Sequence, residues 1–164
     1  MRYNEAGTWK RGVVFIKEIV PKWALTFVAN TVYREHYETL PMSYQWIVKK
    51  DHQKIEYRWI KKNKEQYLSV VASPTPTPIE TGTEASFITE HYWGYTRVNE
   101  TLTYEYEVTH PTWEQYAIEN YEVEVDFGLV YGDAFGFLNS EMPASIMLAE
   151  GSPITVEQKR SLHS

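Results

Sequence analysis

The sequence predicts a β-dominated α+β domain of many strands and two or three short helices, arranged as a closed or half-closed antiparallel barrel. Three observations lead there. Several segments alternate apolar or aromatic residues with polar ones, which is the period of a half-exposed strand. Tyr and Trp, 13 and 6 in number, far outweigh the 6 Phe, and both suit half-buried sheet faces. Pro and Gly punctuate the apolar runs at short intervals. A chain of 164 residues is long enough to bury a real core, so residues 1–164 are expected to form one domain.

Residues 12–19 are rich in β-branched side chains and apolar on both faces until Lys17 and Glu18, as in a strand covered on two sides. Pro21 ends that block. Residues 23–33 predict a second such strand, through Leu25, Phe27, Val28 and Ala29. Tyr33-Arg34-Glu35-His36-Tyr37-Glu38-Thr39-Leu40-Pro41 is polar and aromatic, and reads as a turn of helix stopped by Pro41. A hairpin follows. Tyr44, Trp46 and Val48 alternate with polar positions, as do Ile55, Tyr57 and Trp59. Closing about Asp51-His52 sets Val48 opposite Ile55, Trp46 opposite Tyr57 and Tyr44 opposite Trp59, with the lysines on the other face.

Residues 66–72 predict another strand, and Ser73-Pro74-Thr75-Pro76-Thr77-Pro78 predicts an extended, unpaired surface loop. A short helix starts near residue 81, capped by Thr81 with Glu84 or by Thr83 with Ser86; the first pair has the capping-box spacing. Residues 102–108 and 121–127 alternate apolar residues with acids, whose faces are expected to meet solvent. Residues 129–138 predict a short helix with Gly132 and Gly136 one turn apart. Strands at 144–149 and 154–156 precede a tail from 158 to 164.

The chain has no cysteine, which excludes disulfides, thiolate metal sites and a Cys nucleophile. Met1-Arg2-Tyr3-Asn4-Glu5 leads into Trp9-Lys10-Arg11 without an apolar export segment, and no apolar run approaches membrane-spanning length. The cytoplasm is the expected location, with no membrane partner. A net charge of −6 disfavours nucleic acid. Bases crowd into Lys49, Lys50, Lys54, Arg58, Lys61, Lys62 and Lys64, while residues 98–158 hold acids but no Lys or Arg. Basic strands lying beside acidic ones would account for that asymmetry, as would a basic patch for an acidic partner.

No phosphate-binding Gly-rich loop, nucleophile elbow or H-E-x-x-H helix occurs. His36, His91 and His110 are irregularly spaced, so neither a metal nor a cofactor is predicted. Two polar, aromatic clusters stand out instead. One is residues 33–38, where Glu35 and Glu38 share a face of the expected turn and a buried carboxyl of raised pKa would serve as a general acid or base. The other is Glu90-His91-Tyr92-Trp93-Gly94-Tyr95 with His110-Pro111-Thr112-Trp113, which offers proton carriers and pocket walls. A solvated turn and a helix end on a sheet corner are the bland alternatives.

Four stretches resemble the YqjF-like family of uncharacterised conserved bacterial proteins. They are Trp9-Lys10-Arg11-Gly12-Val13-Val14-Phe15-Ile16-Lys17-Glu18-Ile19-Val20-Pro21, Phe87-Ile88-Thr89-Glu90-His91-Tyr92-Trp93-Gly94-Tyr95, Val108-Thr109-His110-Pro111 with Trp113, and Leu148-Ala149-Glu150-Gly151-Ser152. The resemblance implies an acetoacetate decarboxylase-like fold enclosing a small-molecule pocket. In that enzyme a lysine beside a Gly-x-Pro turn forms a Schiff base. The turn that looks equivalent here, Glu38-Thr39-Leu40-Pro41, is followed by Met42 and Ser43, so the amine is missing and that chemistry is not expected. The resemblance also implies a strand-rich portion ahead of Arg2-Tyr3. Without it, open strand edges would be covered by a second copy, giving a homodimer.

The expectation is therefore a small-molecule-binding protein with a pocket for a small organic acid or apolar ligand; catalysis stays open. Tyr33, Arg34, His36, Tyr37 and Glu38 are placed at its mouth, with His91, His110 and Trp113 beside it. Arg34 would hold an anionic group, and Glu38 or a histidine would handle protons. The opposing expectation is a non-catalytic domain that assembles through its charged strand faces.

Overall fold

The structure, a computed structural model, describes residues 2–3 and 7–163. Met1, Asn4 and Glu5 of the opening read for export signals, and Ser164 of the expected tail, lie outside the described residues. The elements run β1 (Arg2–Tyr3), β2 (Trp9–Lys10), β3 (Gly12–Val13), β4 (Glu18–Val20), α1 (Trp23–Val28), a π-helical turn (Ala29–Tyr33), β5 (Tyr37–Thr39), β6 (Met42–Val48), β7 (Gln53–Lys61) and β8 (Lys64–Pro78). Then come α2 (Glu84–Thr89), β9 (Trp93–Arg97), β10 (Leu102–Thr109), β11 (Glu114–Glu124), α3 (Phe127–Tyr131), a 3-10 helix (Asp133–Ser140), β12 (Leu148–Ala149), β13 (Thr155–Val156) and β14 (Arg160–His163).

The larger sheet has the order β12-β11-β8-β7-β6, antiparallel throughout. The smaller one has the order β13-β10-β9-β3, and β14 shares the β10 edge with β13. β4 and β5 form a parallel pair between them in sequence, with Glu18 opposite Tyr37. The molecule is β-dominated with few helices, as expected. Among the described residues the sheets are separate ladders and do not close into a barrel.

Several expectations are corrected. Residues 23–33 are helical, not a strand. Trp23 and Phe27, four apart, meet edge to face at 6.3 Å, a contact that only helical spacing brings about. Their segment is apolar on both faces, yet little of it is buried: Trp23, Leu25, Phe27 and Val28 are all exposed. Residues 12–19 break into β3 and β4, and Val14 and Ile16 between them are exposed. The helical turn expected after residue 33 is β5 instead. Arg34, at φ 61, ends the π-helical turn, and Asn30 then clasps the backbone of Tyr37 through both amide atoms at 2.8 and 2.9 Å.

The hairpin forms, displaced by two residues. Tyr44 faces Tyr57, Trp46 faces Ile55 and Val48 faces Gln53, because Lys49 N–H bonds His52 C=O and tightens the turn. The Pro-rich segment is the far half of β8, paired with β11. Pro76 and Pro78 stand two apart, opposite Tyr116 and Glu114, so their ring nitrogens lie on one strand edge, and Pro74 falls in the irregular stretch between Ala72 and Pro76. That edge is free of a ladder partner beyond Ala72, where β7 has ended. Thr83, not Thr81, caps α2, its hydroxyl accepting from Ser86 N–H at 3.2 Å.

Residues 129–138 are divided at Gly132, whose φ of 106 interrupts the helix. The close approach joins Gly128 and Gly136, where an added Cβ on the former would sit 3.3 Å from the latter's Cα. The tail is β14, paired with β10 over four residues. One acidic position is not a solvent position: Glu105 is 3 % exposed and takes Lys10 Nζ at 2.8 Å and Tyr95 O–H at 2.9 Å. Among the crowded bases, Arg58 pairs with Glu56 and Glu65 and Lys54 with Glu56 within their own sheet, whereas Lys64 reaches Asp126 at the start of α3 and Lys61 reaches Glu38 of β5.

Candidate functional site

Alternation along β10 sends Glu105 and Tyr106 to opposite faces of the smaller sheet. Glu105 looks toward Lys10 and Arg160. Tyr106, with Thr96 of neighbouring β9, looks toward the segment after the π-helical turn. The left-handed Arg34 turns the chain there and points Glu35 inward, leaving it 6 % exposed. Glu35 Oε1 accepts hydrogen bonds from Tyr106 O–H at 2.8 Å and from the Thr96 hydroxyl. Tyr33 packs its ring edge to face on Tyr106, 5.1 Å between centroids.

Around this carboxylate stand further titratable groups. Burial and the charge of Glu35 raise the Glu18 carboxyl above its usual range. Burial, then Glu18 and Glu35, raise the Tyr37 phenol. Burial, reinforced by the hydrogen bond to Glu35, lifts Tyr106 far above an ordinary phenol, and burial with Glu18 lifts Tyr131. Glu18, Glu35 and three neutral phenols thus share one electrostatic environment. Two like charges in such surroundings favour retention of a proton, which is what a general acid or base near neutrality needs.

Glu38 lies beside this group, across β5 from it, and its electrostatics run the other way. Burial raises its pKa, but the hydrogen bond from Lys61 and the nearby charge of Lys17 outweigh that and hold it low. A raised carboxyl is expected among Glu35 and Glu38; Glu38 is instead held low, and Glu18 is raised. Lys17 Nζ sits 3.4 Å from Glu38 and donates to Val130 C=O at 2.7 Å. Met42 and Ser43 open β6, opposite Trp59 and Arg58.

The remaining candidates divide. Arg34 and His36 are exposed; His36 contributes its carbonyl, which accepts Glu18 N–H at 3.0 Å. His91 places Nδ1 2.9 Å from Ile88 C=O and meets Phe87 edge to face. His110 is stacked between Tyr92 and Trp113, at 5.0 and 4.3 Å, and Trp113 N–H donates to Ser152 Oγ at 2.8 Å. That stack stands where β9 begins and β10 ends. It adjoins an open cleft of about 450 Å³ lined by Trp9, Lys10, Glu90, Tyr92 and Trp93. Lys10 is held there by Glu105 and lies 3.5 Å over the Trp93 ring. Glu90 Oε2 accepts Tyr92 O–H, while Oε1 is buried without a protein donor.

Sequence reasoning thus reaches Tyr33, Tyr37 and Glu38 but passes over Glu18, Thr96, Tyr106 and Tyr131. Parity along β10 was available as a signal for Tyr106. Nothing local in the sequence marks Glu18, whose neighbour Tyr37 arrives only through parallel pairing. Among the described residues, no helix is long and apolar enough to cross a membrane.

The model of the DUF2071 family, described as an uncharacterised conserved protein, matches residues 2–153. No curated protein and no solved structure matches the chain.

Proposed function

Because the chain belongs to the DUF2071 family of uncharacterised conserved proteins, we propose that it binds a small organic acid at the carboxylate–phenol group of Glu18, Glu35, Tyr37 and Tyr106. In this reading the family is the YqjF-like one, with an acetoacetate decarboxylase-like fold. The observation that supports a ligand site is the pairing of two coupled carboxyls, one of them raised in pKa, with phenols kept neutral by burial. A purely structural network gains little from a second carboxyl, since like charges oppose each other. Lys17 supplies a cation for the ligand's carboxylate, Tyr37 a hydroxyl for its carbonyl or alcohol, and Glu18 a proton. Schiff-base decarboxylation stands outside this reading, because Met42 and Ser43 hold the expected lysine positions and the Lys17 amine is engaged by Val130 and Glu38.

The test is a thermal-shift screen of keto acids, hydroxy acids and apolar carboxylates. One class is expected to raise Tm in a concentration-dependent way, and Tyr37→Phe and Lys17→Met are each expected to reduce the rise by half or more. A cooperative melt that no class displaces, or a rise that both variants preserve, contradicts the proposal.

A further inference from the structure

We propose that the uncharged face of the larger sheet is a two-fold interface between two copies of this chain. The register aligns Tyr44, Tyr57, Leu68 and Val123 in one row, and Trp46, Ile55, Val70 and Tyr121 in the next. Val48, Gln53, Ala72 and Ile118 make a third. Cross-strand partners share a face, so these rows form one continuous surface with no charged side chain. Its end toward Trp59 and Gln66 is closed, because Asp126 N–H donates to Gln66 Oε1 and the side chains of Trp59 and Gln66 are buried. Within the rows Gln53, Ile55 and Ala72 are buried, and the open part is carried by Tyr44 at 73 %, Val48 at 64 % and Trp46 at 54 %, with Tyr57, Leu68 and Tyr121 exposed beside them.

Area argues for an occupant of protein size. The chain exposes 11175 Å², whereas a compact monomer of 19.3 kDa exposes about 8,500 Å². The excess of about 2,700 Å² is more than enough for one copy's share of an obligate homodimer, about 1,000–2,500 Å². A second copy suits this face better than a charged partner does. The charges of the same sheet are paired among themselves on other positions, Arg58 with Glu56 and Glu65, and Lys54 with Glu56. The exposed side chains of the face are apolar and aromatic, the amides of Gln53 and Gln66 being buried, and such a surface is complementary to itself about a two-fold axis. Two sheets so opposed form a sandwich with an aromatic core.

Sedimentation velocity on the purified chain at micromolar concentration tests this, with circular dichroism as the check on folding. The chain is expected at twice 19.3 kDa, and to stay there in about 1 M salt, where surface ion pairs are screened. Tyr44→Lys and Val48→Lys, which leave the ladder backbone of β6 unchanged, are each expected to weaken dimerisation about tenfold or more while keeping the native spectrum. Gln45→Lys, on the opposite face, is expected to change nothing. A folded monomer overturns the proposal. So does a dimer that both lysine variants leave intact, or one that salt dissolves.

Discussion

Glu35 Oε1 takes two hydroxyls at once, from Thr96 and Tyr106, in a place where water cannot replace either. Glu35→Ala removes the acceptor and leaves both hydroxyls without a partner, a loss of about 2–3 kcal/mol in urea denaturation. Glu35→Gln keeps an oxygen in reach and is expected to cost less than half of that. Glu38 and Glu18 make opposite contributions to acid behaviour. The folded pKa of Glu38 lies below its unfolded value of 4.5, so its stabilisation is present above that value and is lost as pH falls through the folded pKa. Glu18 is raised, so its folded form is favoured at low pH and that advantage disappears as pH rises through the folded pKa. Glu38→Gln is therefore expected to flatten the acid limb of a stability–pH curve. Glu18→Gln is expected to stabilise the protein at neutral pH and to do nothing below pH 4.5. Matched denaturation series across pH distinguish the two.

At the scale of elements, pairing decides what local pattern leaves open. Gly94 lies opposite Tyr106, and an added Cβ would fall 2.2 Å from Tyr106 Cζ, so Gly94→Ala is expected to displace that phenol from Glu35 and cost about 1–3 kcal/mol. In β8 Pro76 and Pro78 are tolerated because their nitrogens face the edge that β7 has left, and Pro74 because the ladder is irregular there. Thr77, one step out of phase and opposite Gln115, faces the β11 side. Thr77→Pro is expected to cost about 1–3 kcal/mol and to speed amide exchange in β11, whereas Pro76→Thr is expected to be nearly neutral. The alternating strands were legible in the sequence, since a two-residue period survives any register. The hairpin's register was not, because parity is unchanged by a two-residue shift. Residues 23–33 were misread because Trp23, Leu25 and Phe27 satisfy the strand period as well as the helical one, and Phe27 sits both two and four residues from an apolar neighbour. The Pro-rich strand was misread because proline forbids a ladder bond on only one edge.

For the whole molecule, the candidate site depends on contacts far apart in the chain. Glu35 meets Thr96 and Tyr106 across 61 and 71 positions, and Lys17 reaches Val130 across 113. Residues 33–38 were recognisable as polar and aromatic between apolar segments, which was enough to mark Tyr33, Tyr37 and Glu38. That Glu38 is held low was not legible there, because Lys61, the cation that bonds it, arrives from β7. The same distance effect concealed the open face of the larger sheet, whose rows are composed of four strands. Its uncharged surface and the polar group at Glu35 belong to different sheets, so dimerisation and ligand binding are expected to be separable: Tyr44→Lys should leave a ligand-induced Tm rise in place.

The most direct measurement of the central claim is carboxyl carbon-13 NMR of the Glu18 and Glu35 side chains through a pH titration, with and without the acid that gives the largest thermal shift. The Glu18 resonance is expected to titrate above the usual glutamate range in the free protein. Bound ligand should move both resonances and the Glu18 midpoint. A Glu18 that titrates normally, or two resonances indifferent to a ligand that stabilises the fold, would contradict it.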